Sequence, residues 1–213
     1  MKKVWIVLWA CLSVFISGSG YAQIMNGDFE SGDLSYWNAT GPGSITVVLD
    51  GTNHYALMET GYDFFTGEYI TTLSQDFTIP TNPLPLTFDF YFETTGPDPN
   101  AWFIDALTVS LETTAGNLYD FLIVDDTGMV LDPLATVTPS SVFPGGYTLS
   151  LDVSAFAGAD ATIYFDLWDE DDLADSIAKI DNVFVNPVPE PGTVILLGFG
   201  LAGLVGYRWR KKS

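Results

Sequence analysis

The fold is decided by the stretch Leu84-Pro85-Leu86-Thr87-Phe88-Asp89-Phe90-Tyr91-Phe92-Glu93. Every second residue is a leucine or a phenylalanine, and the residues between them are largely polar. An alternation with a period of two is typical of a β-strand that has one face in a core and the other toward solvent. The stretch therefore predicts a half-buried strand.

The same alternation recurs through the middle of the chain, where no segment keeps a helical period for three turns. Its apolar positions are Leu73, Phe77, Ile79, Leu107, Val109, Leu111, Leu149, Leu151, Val153, Ile163, Phe165, Leu167, Ile180, Val183 and Val185. Turn sequences such as Asp50-Gly51 and Pro144-Gly145-Gly146 separate these segments. About eight to ten short strands at this spacing predict an all-β fold, a sandwich or a barrel, and the single apolar faces favour an antiparallel β-sandwich of two packed sheets. We also expect one brief helical turn at 154–158 and Trp37 closing one end of the core.

The beginning of the chain has the three parts of a secretory signal peptide. Lys2-Lys3 is a basic start, Val4 to Ile16 is an apolar segment, and Gly20-Tyr21-Ala22 is a small-x-small cleavage sequence. We therefore expect residues 1–22 to form a signal helix that is removed on export, with Gln23 as the first residue of the mature chain.

The end of the chain, residues 188–213, combines a short motif, an apolar segment and a basic tail. The motif is Pro189-Glu190-Pro191, and the tail is Arg208-Trp209-Arg210-Lys211-Lys212. Val194 to Tyr207 holds 14 residues without a charge, which as a helix measure about 21 Å against roughly 30 Å of hydrocarbon. The pattern predicts a short transmembrane helix at 193–207 whose basic tail stays in the cytoplasm, because cytoplasmic flanks are rich in Lys and Arg.

This order of motif, helix and tail resembles the PEP-CTERM sorting signal of Gram-negative bacteria. The resemblance implies recognition by a membrane-embedded exosortase, with cleavage or transfer near Pro189, Glu190 and Pro191, and a role alongside exopolysaccharide. It also implies that the helix at 193–207 anchors the chain in the inner membrane only until sorting. We then expect the chain at the cell surface or in the extracellular matrix.

Between the two ends, residues 23–187 have a length that suits one β-sandwich domain. This segment has no cysteine, because Cys11 lies in the signal segment, so disulfides and cysteine-bound zinc are excluded. It holds 26 acids and a single base, Lys179, for a formal net charge of −25. Nucleic acid is a poor partner for such a domain, because binding its phosphates requires Lys and Arg. Divalent cations are favoured, because uncompensated carboxylates repel one another.

Two segments at opposite ends of this domain carry a second resemblance. One resembles the first strand and following turn of carbohydrate-binding jelly rolls of the galactose-binding-like type, and it reads Asn26-Gly27-Asp28-Phe29-Glu30-Ser31-Gly32-Asp33-Leu34-Ser35-Tyr36-Trp37. The other, Ile180-Asp181-Asn182-Val183, resembles the last strand of the same modules. In such sandwiches these strands lie close, and a structural calcium often sits at that edge. The resemblance implies Glu30 and Asp181 as Ca²⁺ ligands, with backbone carbonyls and waters completing a shell of six to eight oxygens. The alternative is that Glu30 caps a turn and Asp181 ends a strand without metal.

Aromatic side chains are the candidates for sugar contact, because sugars stack on exposed aromatic faces. The candidates are Tyr62, Phe64, Phe65, Trp102 and Trp168. Trp102 follows a Gly-Pro-Asp-Pro turn and is the strongest single candidate for carbohydrate binding. The alternative for each of them is a place in the sandwich core.

The sequence does not predict catalysis. His54 is the single histidine and no nucleophile elbow accompanies it, and 26 acids do not single out a glycosidase pair. The acid-rich stretch Asp169-Glu170-Asp171-Asp172 lacks EF-hand spacing and is predicted to be a solvated loop. We expect a non-enzymatic glycan-associated or structural protein. A secreted glycan-cleaving hydrolase and an adhesion protein without sugar affinity are the alternatives.

Overall fold

The computed structural model describes residues 24–94, 105–169 and 175–186, and these residues form an almost entirely β structure. The strands are β1 Asn38–Thr40, β2 Ser44–Asp50, β3 Asn53–Glu59, β4 Ile70–Thr78, β5 Leu86–Thr94, β6 Ala106–Thr113, β7 Leu118–Asp125, β8 Gly128–Leu131, β9 Ala135–Pro139, β10 Tyr147–Leu151, β11 Asp160–Trp168 and β12 Ser176–Phe184. One turn of 3-10 helix, Ser154–Phe156, lies between β10 and β11. The helical turn predicted at 154–158 is therefore confirmed.

The strands form two antiparallel sheets, and the predicted β-sandwich is confirmed. The β12 sheet has the order β2-β3-β12-β5-β10-β9, and the β11 sheet has the order β1-β4-β11-β6-β7-β8. In each sheet a late strand pairs between two earlier ones: β12 lies between β3 and β5, and β11 lies between β4 and β6. The centre of each sheet is therefore complete only when the last strands of the domain have paired.

The decisive stretch forms β5, and its apolar face lies in the core. Leu86, Phe88 and Phe90 are buried and Phe92 is partly buried, and the apolar positions of the other alternating segments are buried as well. The ring of Phe88 meets that of Phe165 from the opposite sheet edge-on, with 5.1 Å between centroids. Burial of one phenylalanine stabilises a fold by roughly 1.5–3 kcal/mol. Contacts of this kind between the sheets are therefore a main source of stability.

Two residues of the decisive stretch depart from the expected pattern. Leu84 is exposed, because β5 begins two residues later at Leu86. Asp89 faces away from the core, yet only 6% of it is exposed. The loop between β9 and β10 covers it, and the Ser140 hydroxyl donates to its carboxylate at 2.8 Å. The period of two thus predicts which way a side chain faces but not what lies over it.

The segment ahead of β1 packs into the sandwich without forming a strand. Phe29 and Trp37 are buried, and their rings stack at 5.4 Å between centroids. The ring of Phe165 approaches Trp37 at 6.1 Å, and the indole Nε1 donates to the Asn26 carbonyl at 2.9 Å. The predicted core position of Trp37 is confirmed.

Gly27 joins the beginning of the domain to its last strand. Its carbonyl accepts the backbone N–H of Val183 at 2.8 Å, at a bulge in β12 where Asn182 has a left-handed φ of 52°. The expectation that the two ends lie side by side is confirmed, but the expectation of a first strand is wrong. The backbone of Asn26 and Phe29 also has a positive φ, 51° at both residues, which breaks an extended conformation.

Replacing Gly27 by alanine is expected to destabilise the fold by about 3 kcal/mol, since overpacking against backbone is poorly tolerated. A Cβ at this position would lie 2.1 Å from the Val183 carbonyl oxygen, which cannot move without the β12 bulge. Thermal unfolding followed by circular dichroism measures the loss. Gly51→Ala is the control, because Gly51 has a φ of 65° and open space around it, so only about 1 kcal/mol of backbone strain is expected. Equal losses would contradict the packing explanation.

The twelve strands exceed the predicted eight to ten because several edge strands are very short. β1, β8 and β9 contain three, four and five residues, and all three lie at or beside the edge of a sheet. Runs of this length show no readable alternation in the sequence.

The two predicted helices at the ends of the chain, 1–22 and 193–207, lie outside the described residues. Within the ranges that are described, no helix is long and apolar enough to cross a membrane.

Candidate functional site

Glu30 connects the turn at the beginning of the domain to β3. Its Oε1 accepts the backbone N–H of His54 at 3.0 Å, and its Oε2 lies 3.1 Å from His54 Nδ1. The hydrogen bond from the His54 backbone, followed by that from its ring, lowers the pKa of Glu30. The carboxylate is 46% exposed. It is therefore held in place and ionised, yet open to a cation from the solvent side.

Asp181 lies on β12 directly opposite Asp89 of β5, and it is fully buried. Its Oδ2 accepts the side-chain amide of Asn53 at 2.9 Å, and its Oδ1 accepts the backbone N–H of Asn182 at 2.7 Å. Burial raises the pKa of Asp181 to about 6 in spite of these hydrogen bonds, and the like charges of Asp89 and Asp28 add to the rise. Asp181 is thus a buried acid in an electronegative environment.

Asn182 links the two buried carboxylates. Its side-chain amide donates to Asp89 Oδ2 at 2.9 Å and lies 3.4 Å from Asp181 Oδ2. Hydroxyl donors from Ser140 and Thr148 complete the hydrogen bonding of Asp89, at 2.8 and 2.5 Å. Neutral donors, rather than a basic side chain, therefore surround both acids in the part of the chain that the structure describes.

The structure brings the two predicted calcium ligands, Glu30 and Asp181, to the adjacent residues His54 and Asn53 at the beginning of β3. Asp28 is near enough to raise the pKa of Asp181. Among the described residues, no three His, Cys, Asp or Glu side chains converge as a metal site. An all-oxygen donor set suits Ca²⁺ rather than a transition metal, and carbonyls and waters would have to complete its shell. The donors present fit calcium in type, and the site stays a prediction.

A cleft of about 310 Å³ opens on the outer face of the β12 sheet beside the buried acids. It is lined by Asp50, Asn53, Tyr55, Tyr91, Val142, Phe143, Pro144 and Lys179. Strands β3, β5 and β12 supply the two tyrosines and the lysine, and the loop between β9 and β10 supplies the apolar wall. Three sheet strands and a covering loop thus bring aromatic, amide and charged groups to one opening.

Lys179 stands between two tyrosine rings of the cleft. Its Nζ lies 5.4 Å from the ring centre of Tyr55 and 5.1 Å from that of Tyr91. Phe143 of the loop meets Tyr55 edge-on, with 5.4 Å between centroids. In the described ranges, no carboxylate comes within 4.0 Å of this ammonium group, whereas His54 Nδ1 lies 3.1 Å from Glu30 Oε2.

Tyr91 is fixed by its own hydrogen bond. Its hydroxyl donates to Glu93 Oε2 at 2.7 Å. The hydrogen bond to Glu93 raises the pKa of Tyr91, and burial adds to the rise. The ring orientation is therefore set before any ligand arrives, which suits stacking against a sugar ring.

A second groove, of about 460 Å³, lies on the outer face of the β11 sheet. Its carboxylates are those of Asp76, Glu112 and Asp160. Each accepts a hydroxyl across the strands, from Thr162 at 2.6 Å, Tyr164 at 2.9 Å and Thr78 at 2.7 Å respectively. The aromatic residue of its lining, Phe77, is buried. This groove therefore offers acids and hydroxyls without an exposed aromatic face.

The loop between β3 and β4 carries the predicted aromatic candidates Tyr62, Phe64 and Phe65. Phe64 is 81% exposed and Phe65 is fully exposed, so these two lie outside the core and have the exposed ring faces that sugar contact requires. Asp63 shapes the tip, because its carboxylate accepts the backbone N–H of Phe65 at 2.8 Å. Trp168 instead packs against Tyr69 at 5.7 Å, with its indole N–H buried, and offers less ring surface.

The residues Trp102, Pro189, Glu190 and Pro191 lie outside the described residues. Sequence reasoning missed the cleft residues Tyr55, Tyr91 and Lys179. Two signals were available: Lys179 is the only base between residues 23 and 187, and Tyr91 stands on the polar face of the decisive strand. What the sequence could not give was the pairing of β5 with β12, which places Tyr91 directly opposite Lys179.

Residues 187–211 match the PEP-CTERM protein-sorting motif, and the predicted sorting signal is confirmed. The motif implies export in a Gram-negative bacterium, a membrane-anchored stage and processing by an exosortase. It covers the end of the chain, and the β-sandwich lies outside it. No curated protein matches the chain.

Solved carbohydrate-binding modules are similar to the β-sandwich. TmCBM61, in complex with beta-1,4-galactotriose, has 14% sequence identity and a TM-score of 0.49, over 80% of this chain and 100% of that one. CBM28, specific for non-crystalline cellulose, has 16% identity and a TM-score of 0.43, over 76% and 93%. A xylanase of Clostridium thermocellum that includes the CBM22-1 module has 10% identity and a TM-score of 0.41, over 78% and 28%. The likeness is one of fold, and no ligand is carried over from it.

Proposed function

We propose that this chain is an exported, exosortase-processed protein of the cell surface or extracellular matrix that associates with exopolysaccharide through a non-catalytic β-sandwich. The sorting motif supports the export route. On this route the chain crosses the inner membrane, is anchored there temporarily and is processed near Pro189-Glu190-Pro191. The observation that carries glycan binding is the cleft of the β12 sheet, where two tyrosine rings flank Lys179.

The cleft has the size and chemistry of a sugar site. Its volume of about 310 Å³ lies at the lower end of the roughly 300–1,000 Å³ that ligand pockets occupy. Tyr91 is partly exposed and offers ring surface, whereas Tyr55 is buried and forms part of the wall. Asn53, Asp50 and Lys179 offer donors and acceptors for hydroxyl groups. Sugar recognition needs this combination, because a pyranose presents an apolar face and a polar rim.

The same geometry favours binding over cleavage. A glycosidase places two carboxylates about 5–10 Å apart on either side of the bond it breaks. Asp50 is the acid among the described lining residues of the cleft, whereas Asp89 and Asp181 lie buried beneath. The hydrolase alternative therefore rests on the acids of the β11-sheet groove, and release of sugars from the host's own polysaccharide tests it. An adhesion protein without sugar affinity is the other alternative.

Calcium belongs to this proposal as a structural ion. Glu30 and Asp181, with Asp28 beside them, would hold the ion between the first turn of the domain and β12. Asn53 connects this position to the cleft, because it donates to Asp181 and also lines the opening. An ion here would stiffen one end of the cleft without contacting a sugar.

A glycan array that includes the host's own exopolysaccharide tests the proposed binding. We expect the full-length chain, purified in detergent, to bind at least one glycan, and Tyr91→Ala to weaken that binding about tenfold, equal to about 1.4 kcal/mol. Tyr91→Phe is the matched control, since it keeps the ring and removes the hydroxyl that donates to Glu93. It should retain binding.

Two further variants locate the contact. If Phe65→Ala abolishes binding and Tyr91→Ala does not, the glycan binds the loop between β3 and β4 instead of the cleft. Trp102→Ala tests the contact that the sequence predicted. If the folded, unaltered chain binds no glycan on the array, the result would favour the adhesion protein without sugar affinity.

A further inference from the structure

Lys179 is the one base of a domain that contains 26 acids. Its immediate neighbours are ring faces, at 5.1 and 5.4 Å, and among the described residues no carboxylate lies within 4.0 Å of it. An ammonium group has three N–H donors, and the rings of Tyr55 and Tyr91 attract the charge without accepting conventional hydrogen bonds. In the structure as described, the donors of Lys179 face a cleft wall and its opening.

A structural role in neutralising the buried acids does not explain this position. Asp181 lies two residues further along the same face of β12. The groups that stabilise its charge are Asn53 and the backbone of Asn182, and the charges that act on it are those of Asp89 and Asp28. Lys179 is absent from that set. The cation is therefore available to a ligand.

We propose that the cleft selects an acidic sugar, a hexuronic acid unit, whose carboxylate pairs with Lys179; this inference rests on the proposed glycan site. A uronic acid carries on one ring the two groups that the cleft matches. Its pyranose face stacks on a tyrosine, and its carboxylate accepts charge-assisted hydrogen bonds from the ammonium group. A neutral hexose of the same shape offers a hydroxymethyl group in place of the carboxylate and forms the weaker hydrogen bond.

The charges around the cleft also set the orientation of the sugar. Asp50 lines the same opening as Lys179, and Glu93 accepts the hydroxyl of Tyr91. Both repel a carboxylate, so the acidic group of the sugar is directed to Lys179. The net charge of −25 also opposes a densely charged polyuronate, although physiological salt screens charges beyond about 8 Å. Uronic acid units spaced by neutral sugars are therefore the better ligand.

A pair of matched sugars tests the inference. Methyl β-glucuronide and methyl β-glucoside differ only at C6, where one has a carboxylate and the other a hydroxymethyl group. We expect the glucuronide to bind the full-length chain in detergent at least fivefold more tightly, as measured by chemical-shift titration. The preference should shrink as salt is added, because an exposed ion pair is screened.

Lys179 variants separate this inference from the proposed function. Lys179→Gln should reduce the affinity for the glucuronide to about that for the glucoside and should lower the affinity for the glucoside much less, because only a neutral hydrogen bond is altered there. Lys179→Arg, which keeps the charge, should restore the preference. Equal affinities of the unaltered chain for both sugars, still lost in Tyr91→Ala, would overturn the uronate inference and leave the glycan cleft standing. If neither sugar binds a chain that is folded, as its melting temperature shows, the result would count against both the uronate inference and the proposed glycan cleft.

Discussion

Millimolar Ca²⁺ is expected to raise the melting temperature of the full-length chain by about 5–10 °C relative to the same chain in chelator. A ligand at one hundred times its dissociation constant stabilises the folded state by about 2.7 kcal/mol. In a domain of this size each kcal/mol raises the melting temperature by about 2–4 °C. The measurement is thermal unfolding by circular dichroism in CaCl₂, in MgCl₂ and in EDTA. Magnesium is expected to give a smaller rise, because it demands octahedral geometry and dehydrates reluctantly.

The physical reason for a large calcium effect lies in the uncompensated charge at this edge of the sandwich. Asp181 is buried among the charges of Asp89 and Asp28 without a cation in the described part of the chain. A divalent ion near Asp181 and Glu30 would relieve that repulsion and would clamp the first turn to β12. The calcium effect is therefore expected on stability, and glycan affinity should follow only as far as the cleft stiffens.

Charge-removing variants make the calcium prediction specific. Asp181→Asn and Glu30→Gln should abolish the calcium-dependent rise, and Asp181→Asn should lose little stability in EDTA because it no longer buries an acid. Asp126→Asn is the matched control, since Asp126 is an exposed acid in the turn between β7 and β8. It should keep the full response. A melting temperature that is the same in calcium and in chelator would show that Glu30 and Asp181 hold no metal.

The sandwich itself could be predicted from sequence because its core follows a short-range rule. Apart from the exposed Leu84 and the partly buried Phe92, every apolar position of the alternation is buried, since successive side chains of a strand face opposite sides. The first segment could not be predicted in the same way. Phe29 is buried in a turn with a positive φ, where the period of two does not apply. Short edge strands such as β8 were missed because four residues carry no period.

The candidate site could be predicted only in part, because it depends on strand pairing between distant parts of the chain. Glu30 and Asp181 were found through a resemblance, and the structure places them at adjacent residues of β3. Tyr91 and Lys179 are 88 positions apart in the sequence, and only the pairing of β5 with β12 makes them neighbours. The sequence also offered no reason to prefer Phe65 over Trp168 as a sugar contact. In the structure Phe65 is fully exposed, whereas Trp168 packs against Tyr69.

Replacing Pro189-Glu190-Pro191 by three alanines is expected to leave the full-length chain in the membrane fraction. The three residues lie within the matched sorting motif, between the last described residue, Asn186, and the predicted helix at 193–207. Each proline fixes φ and lacks an N–H donor, so the pair disfavours helix at this point, while three alanines favour it. The substitution therefore removes the side chains of the motif and its two helix-disfavouring prolines, both of which we expect processing to require.

Fractionation followed by immunoblotting of the host measures the outcome of this substitution. The unaltered chain should appear as a shorter, released or surface-attached form, and the alanine variant should stay at full length with the inner membrane. Arg208→Lys keeps the basic tail, and we expect this variant to be processed normally. The unaltered chain should be processed only in a host that has the exosortase. The 14-residue uncharged segment is short for roughly 30 Å of hydrocarbon, which suits a temporary anchor. Normal processing of the alanine variant would mean that the apolar segment and the basic tail, rather than the motif, direct the sorting.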